Sequence, residues 1–419
     1  MTWAPELTLA DLAEGSLFTD GNWVESKDQD PAGAVRLTQL ADVGVGVFRN
    51  RSDRWMRTDQ AASLGCTFLR ANDILIARMP DPIGRACLVP TTIDTAVTAV
   101  DVAILRVARS DVDPRYVMWA INSPTFHSLV VGRQSGTTRK RISRKNLATL
   151  TIPIPSFEEQ SRIVDLLEDH LSRLDAADQG LANALARSEA LLTVGLWHAT
   201  HGLGEDGPVE LQSLAEVRLG RQRSPKNHTG DRMRPYLRAA NVGWNTLRLE
   251  SVKEMQFSEA EEETYRLEVG DILLTEASGS PAEVGKSVRY RGVPADVCFQ
   301  NTLLRVRCNS ADPEFVQKYL LAEARAGRFM PEARGVGINH LGRARLAAMA
   351  IQIPTMEEQT AAVAACRELV DGVEQFKATI VDQVKRSVAL RKSLLAAAFS
   401  GRLIPGASDL SVAGEIIRL

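Results

Sequence analysis

The sequence predicts an α+β protein built as a tandem internal repeat, in which two strand-rich α/β globular domains are each followed by one long helix. Three observations carry this. Segments of very different character recur at one offset; short β-branched runs broken by Gly, Pro, Asn and Asp fill the first part of each copy; and an apolar stripe at helical spacing fills the last part.

The repeat has a period of about 199 residues. Asn72-Asp73-Ile74-Leu75-Ile76 returns as Gly270-Asp271-Ile272-Leu273-Leu274 at an offset of 198. At 199, Ala41-Asp42-Val43-Gly44 returns as Ala240-Asn241-Val242-Gly243, Asp113-Pro114 as Asp312-Pro313, and Arg187-Ser188 as Arg386-Ser387. The strongest match pairs Ile152-Pro153-Ile154-Pro155-Ser156-Phe157-Glu158-Glu159-Gln160 with Ile351-Gln352-Ile353-Pro354-Thr355-Met356-Glu357-Glu358-Gln359. Chance similarity between helices would not hold one offset across strand-like, turn-like and helix-like segments.

The expected order is a globular domain over 1–151, a long helix over 152–203, a second globular domain over 204–350, a second long helix over 351–403 and a tail over 404–419. Runs such as 100–107 and 302–306 read as strands. After a Pro-containing hinge, Ser156-x-x-Glu159 and Thr355-x-x-Glu358 form capping boxes, in which the hydroxyl accepts from the third amide and the carboxylate reaches back to the cap. Behind them Leu167, Leu171, Leu174, Leu181 and Leu185 in the first copy, and Val370, Val373, Phe376, Ile380 and Val384 in the second, are the expected seam residues. Gly202 and Gly401 supply left-handed stops. Each helix would reach about 65 Å and cannot bury its stripe alone. Its partner is the other helix of the chain, or its copy in a homodimer.

Composition bounds the function. With 419 residues, 44% hydrophobic and 24% charged, the chain is globular, with two or three domains. No basic leader or apolar span argues for a membrane, and five scattered cysteines without C-x-x-C spacing argue for buried thiols in a reducing, cytoplasmic setting. Catalytic signatures are missing. The stretch Gly279-Ser-Pro-Ala-Glu-Val-Gly285-Lys286-Ser287 has five residues between its glycines where a phosphate loop has four, and the following Val288-Arg289-Tyr290 reads as a strand. His198-x-x-His201 lacks a third ligand and reads as a frayed, solvated helix end. We expect no catalytic residue, metal or cofactor in this chain.

What remains is basic surface, hidden in a net charge of −2. Residues 139–145 hold Arg139, Lys140, Arg141, Arg144 and Lys145 after a glycine turn; the counterpart region offers Asn339, His340, Arg343 and Arg345. Arg49, Arg51, Arg54 and Arg57 form another group, and Arg221, Arg223, Lys226, Asn227, Arg232 and Arg234 another, with Lys286 between. Guanidinium groups suit phosphates and guanine edges, and Asn suits adenine, so these, apart from Lys145 and Arg345, are the candidate DNA-binding residues. An acidic block over 250–268, with seven Glu against two basic residues, balances them.

The tandem plan, the Asp-Ile-Leu segment in each half, the two Ile-x-Ile-Pro-x-x-Glu-Glu-Gln elements and the ending Phe399-Ser400-Gly401-Arg402-Leu403 resemble the DNA-specificity subunit of Type I restriction-modification systems over nearly the whole chain. The departures are mild, Gln352 for the first Pro of the element and Asn72 for the Gly seen at 270. The resemblance implies that each globular half is a target-recognition domain reading half of a split site in double-stranded DNA. It implies that the helices pair antiparallel with pseudo-two-fold symmetry and set the spacer. Two adenine methyltransferase subunits and motor-nuclease subunits would be the partners, bringing S-adenosylmethionine, ATP and magnesium. A modification-only system, another restriction type, or a coiled-coil scaffold that never touches nucleic acid stand as alternatives.

Overall fold

The computed structural model describes residues 3–80, 82–136, 140–278, 280, 283–330 and 339–403. Arg139 and the tail 404–419 lie outside them, as do Gly279, Pro281 and Ala282 and the side chain of Asn339. The chain divides into two compact units, Leu181–Val381 and the remainder, so that each long helix contributes to both.

In the first unit a four-stranded antiparallel sheet runs in the order Leu17–Asp20, Val102–Arg106, Ile74–Ala77, Ala86–Leu88. A three-stranded sheet has Val35–Thr38 at its centre, antiparallel to Trp55–Met56 and parallel to Ala96–Thr98. The second unit repeats this order with Ala215–Leu219, Leu303–Cys308, Ile272–Thr275 and Ser287–Arg289, and with Met233–Leu237 between Lys253–Gln256 and Cys298–Phe299. The 199-residue period is therefore a repeat of topology.

The recurring Asp-Ile-Leu segment is now explained. Successive strand residues face opposite sides, and Ile74 and Ile76 enter one core while Leu75 and Ala77 enter another. Ile272 and Leu274 likewise separate from Leu273. The aspartate before each strand is buried and takes a two-pronged hydrogen bond from an arginine on the neighbouring strand: Arg106 to Asp73 at 2.7 and 2.6 Å, Arg307 to Asp271 at 2.7 and 2.8 Å. A charge buried beside apolar strands requires such a partner.

Helices Phe157–Thr200 and Met356–Ala398 follow. Both capping boxes form, with Ser156 and Glu159 exchanging bonds at 3.3 Å and Thr355 and Glu358 at 2.9 and 3.3 Å. The expected hinge is instead a strand. Thr151–Pro153 pairs with Glu6–Thr8 and Ala350–Ile351 with Val209–Glu210, straddling the anticipated 151/152 and 350/351 boundaries and tying each helix entry to its globular domain.

The glutamine ending each Glu-Glu-Gln is fully buried and acts as a clamp. Gln160 Oε1 accepts from the Asp113 amide at 2.9 Å while its Nε2 donates to the carbonyls of Asp111 at 3.0 Å and Pro155 at 2.9 Å. Gln359 Oε1 accepts from the Asp312 amide at 2.9 Å and its Nε2 donates to Pro354 at 2.8 Å. Asp113 and Asp312 in turn cap helices Pro114–Ile121 and Pro313–Arg325. One side chain thus joins the domain helix to the start of the long helix, which is why two distant sequence elements recur together.

A second joint has the same place but opposite polarity in the two units. Arg115 Nη1 lies 3.4 Å from Glu168, whereas Glu314 accepts from Arg367 at 2.7 and 2.6 Å and from Arg289 at 2.6 Å. The Arg367 guanidinium holds the Glu314 carboxyl below the usual glutamate range, against its burial. A lowered acid contributes stability that is fully present above the ordinary value of about 4.3 and is lost as pH falls through the lower folded value. Glu314→Gln should accordingly flatten the acid limb of thermal melts recorded between about pH 3 and pH 7. An unchanged acid limb would remove the pair from the acid response.

The long helices pair antiparallel within each unit, so the seam is intrachain. In the first unit Leu167 and Leu171 share a core with Leu394, Leu395 and Ala398, and Arg391 bridges to Asp175 and Asp178 at 2.8 Å each. In the second, Leu192 and Leu196 meet Cys366 and Val373, and Arg325 reaches Glu189 at 2.9 Å. Val373 and Ile380 are buried, Leu174, Leu181 and Val370 half-buried. Leu185, Phe376 and Val384 are exposed, correcting three of the expected seam positions. Ser188 and Ser387 are buried three residues further along. Phe376→Ser and Val384→Ser should therefore shift stability by no more than about 0.5 kcal/mol, measurable by urea unfolding, whereas Val373→Ala should cost about 1–2 kcal/mol.

Both helices stop as expected, with Gly202 at φ 72° and Gly401 at φ 76°. The end of the first is not frayed. His201 stacks between Trp197 and Tyr319, with ring centroids at 3.6 and 4.0 Å, and its Nε2 meets Glu323 at 2.9 Å. The solvated reading of His201 is thereby corrected: its role is to dock the helix end on the globular domain. At the end of the second helix Phe399 packs edge-on against Tyr116 at 5.2 Å, and Trp3 Nε1 donates to the Phe399 carbonyl.

Candidate nucleic-acid interface

In both units the same turn lifts an arginine off the three-stranded sheet. Asp42 and Asn241 are fully buried at its base. The Gly44 amide donates to Val47 and the Gly243 amide to Thr246, both at 2.9 Å; the amides of Arg49 and Arg248 donate back to the carbonyls of Asp42 and Asn241 at 2.7 and 2.8 Å. Bridges Val43 to Phe48 and Val242 to Leu247 close the two turns. A Cβ on Gly44 would come within 2.9 Å of Arg49 Nε, so glycine lets the guanidinium lie across the turn. Burial pushes the Asp42 carboxyl up, but bonds from the Ser52 hydroxyl and from the amides of Ser52, Gln39 and Arg51 outweigh it and hold the group low. A charged anchor thus fixes the turn, and Arg49 and Arg248 stand exposed.

Arg54, just before the strand Trp55–Met56, and Lys253, which opens the strand Lys253–Gln256, are exposed at the same offset. In the second unit Arg223, Arg238 and Lys253 line a hollow of about 250 Å³ with Tyr236, Gln300 and Thr302. Arg238, Arg248 and Lys253 escaped the sequence reading, although applying the 199-residue offset to Arg49 and Arg54 identifies two of them.

The other expected residues divide into exposed and engaged. Arg51, Arg223, Lys226, Lys140 and Arg343 are exposed, and Asn227 is half-buried. Arg54 reaches Gln29 at 3.0 Å, and Arg57 is occupied by Asp59, with Nε at 2.9 Å. Arg141 pairs with Asp101 at 2.6 Å and Arg144 with Asp20 at 3.6 Å, which leaves the 139–145 cluster less available than its charge suggested. His340 Nδ1 meets Glu276 at 2.9 Å.

Four candidates are engaged in contacts within their own unit. Arg221 is half-buried against the Phe257 ring at 5.0 Å and pairs with Glu261 at 2.8 Å. Arg232 and Arg234 both bind Glu262, at 3.1 and 3.0 Å, and the Arg234 bond holds that carboxyl low. Lys286 is buried, pairs with Glu283 and faces the Trp244 ring at 5.8 Å. Part of the acidic block, on helix Glu259–Tyr265, therefore neutralises the neighbouring basic cluster from within the unit. Arg49 and Arg248, on the duplicated turns, are exposed in both units. Among the described residues no group of His, Cys, Asp and Glu is arranged to hold a metal, and no helix is long and apolar enough to cross a membrane.

Two repeated globular modules, each presenting an exposed basic turn and each joined to a pair of long antiparallel helices, define a class of tandem, internally duplicated proteins. The profile of the Type I restriction modification DNA specificity domain matches residues 72–187 and 207–386, and the chain belongs to that family. It is 23% identical over 320 residues to the type I restriction enzyme StySPI specificity subunit of Salmonella potsdam, covering 70% of this chain and 66% of that one. With the EcoKI specificity subunit of Escherichia coli strain K12 it shares 23% identity over 309 residues, covering 67% and 64%. The matches thus span just under two thirds of those relatives' length. A chain solved in connection with complex assembly and conformational transition of the type I restriction-modification system superposes with a TM-score of 0.73 at 18% identity, covering 95% of this chain and 98% of its own. The HsdS subunit from Thermoanaerobacter tengcongensis gives 0.55 at 17% identity, covering 95% and 97%. The shared fold is that of these subunits.

Proposed function

We propose that this chain is the non-catalytic specificity subunit of a cytoplasmic Type I restriction-modification complex. Each globular module reads one half of a bipartite site in double-stranded DNA, and the paired helices set the gap between the halves. Two adenine methyltransferase subunits and motor-nuclease subunits are its partners; S-adenosylmethionine, ATP and magnesium belong to them, and no step of methyl transfer is assigned to this chain. The observation that carries the reading is the duplicated turn that exposes Arg49 in one module and Arg248 in the other. Two such readers held together discriminate a long site, each base pair adding roughly 1–3 kcal/mol.

The test is a methylome. The chain is co-expressed with the methyltransferase encoded beside it in a host without adenine methylation, and modified positions are mapped by sequencing. A split motif with a fixed gap, absent when this chain is omitted, is the expected result. Modification that ignores the presence of this chain would sink the proposal.

A further inference from the structure

The second unit contains a cavity of about 460 Å³ where its globular domain meets the long helix Met356–Ala398. Its charged lining comprises Arg289, Arg291, Lys318 and Arg367 against Glu314 and Asp371, an excess of cations. Glu314 already accepts three bonds of 2.6–2.7 Å, one from Arg289 and two from Arg367. Lys318 is only 3% exposed, and its ammonium donates to Asn245 Oδ1 at 3.0 Å. An ammonium has three donors, so others remain for a ligand. Arg289 Nε is buried without a hydrogen-bond partner, and Arg291 is exposed at the rim. Burial holds the Lys318 ammonium below the usual lysine range against the opposing pull of Glu314.

The fold itself does not require this arrangement. At the equivalent positions, 199 residues earlier, Gly46 and Trp119 replace Asn245 and Lys318. There the indole fills the space: a Cβ on Gly46 would meet its ring at 2.1 Å, and Trp119 Nε1 donates to Glu168 at 3.0 Å. One copy closes the joint with an aromatic ring, and the other leaves it open and lines it with cations, of which Arg289 Nε lacks an acceptor. Buried Lys318 and half-buried Arg289 share one buried carboxylate, Glu314, and an anion would offset the cationic charge left over.

We propose that this cavity binds a phosphoryl dianion, held by the Lys318 ammonium and the Arg289 and Arg291 guanidinium groups. The source is either a free phosphate or small nucleotide, or a backbone phosphate of bound DNA. The inference is independent of which bases the modules read.

The full-length chain is titrated calorimetrically with inorganic phosphate at constant ionic strength maintained with chloride, beside Lys318→Met, Arg291→Ala and Arg49→Ala. Saturable binding by the wild type is expected, weakened about tenfold or more in Lys318→Met and Arg291→Ala and unchanged in Arg49→Ala. Arg291 is exposed, so its variant tests the site even where Lys318→Met fails to fold. Absence of wild-type binding up to about 10 mM phosphate, or equal binding by a folded Lys318→Met or by Arg291→Ala, overturns the proposal. Parallel titrations with AMP and with duplex DNA then separate the sources. Tighter AMP binding, with DNA affinity indifferent to Arg291→Ala, supports a small ligand; DNA affinity lowered by Arg291→Ala, with phosphate competing, supports a backbone phosphate. Loss of DNA binding in Arg49→Ala alone concerns the reading turn and leaves this site standing.

Discussion

Gln160→Leu should destabilise the first unit by about 3 kcal/mol. The apolar side chain, one heavy atom shorter, removes three bonds at once, leaving the Asp113 amide and the carbonyls of Asp111 and Pro155 without their partner. Each buried polar group stranded in this way costs roughly 1–3 kcal/mol, and Gln160 is fully buried, so water cannot replace the bonds locally. Gln359→Leu should act the same way on the second unit, through the Asp312 amide and the Pro354 carbonyl. Because two units need not unfold together, amide hydrogen exchange is the clearer measurement. Exchange at Asp113 should accelerate in Gln160→Leu and stay unchanged in Gln359→Leu. Protection at Asp113 indistinguishable from wild type would show that the clamp contributes nothing.

Alanine at Arg49, Arg51 and Arg54 together should lower DNA affinity by about two orders of magnitude and reduce the salt slope of log K by about two to three. Arg248→Ala with Lys253→Ala should do the equivalent in the second module, with a slope change of about two. These side chains are exposed, while Arg221, Arg232 and Arg234 nearby are committed to Glu261 and Glu262. The comparison is made by fluorescence anisotropy at several salt concentrations on a duplex carrying the site found by methylome. Replacing Lys226 or Lys145 should have a smaller effect. Undiminished affinity of the triple variant at low salt would remove the turns from the interface.

The repeat, both capping boxes and both glycine stops were legible because each is a local pattern whose partners lie within a few residues. The glutamine clamp was visible as a motif but not as a clamp, since Gln160 and Asp113 are 47 residues apart and nothing local reports their contact. The basic cluster at 221–234 misled for the same reason: its counter-charges sit 30–40 residues downstream, on a helix that folds back over it. In the seam, apolar side chains drew the stripe through Leu185 and Val384, whereas the buried positions there are occupied by Ser188 and Ser387. Hydrophobicity marked a helix face, and packing chose a neighbouring one. Charge density likewise counted cations without their acids, so it picked out Arg49 but passed over Arg248, its counterpart on the recurring turn.

The reversed joint between Arg115 and Glu168 in one half and Glu314 and Arg367 in the other makes the two halves poor spare parts for each other. A graft of the first globular domain onto the second helix would set Arg115 against Arg367, and the converse graft would set Glu314 against Glu168. Like charges facing each other at a partly buried contact disfavour both hybrids. A recombination event that exchanges modules keeps its joints matched only when the crossover falls beyond Glu168 or Arg367, so that each domain travels with about the first three turns of its own helix.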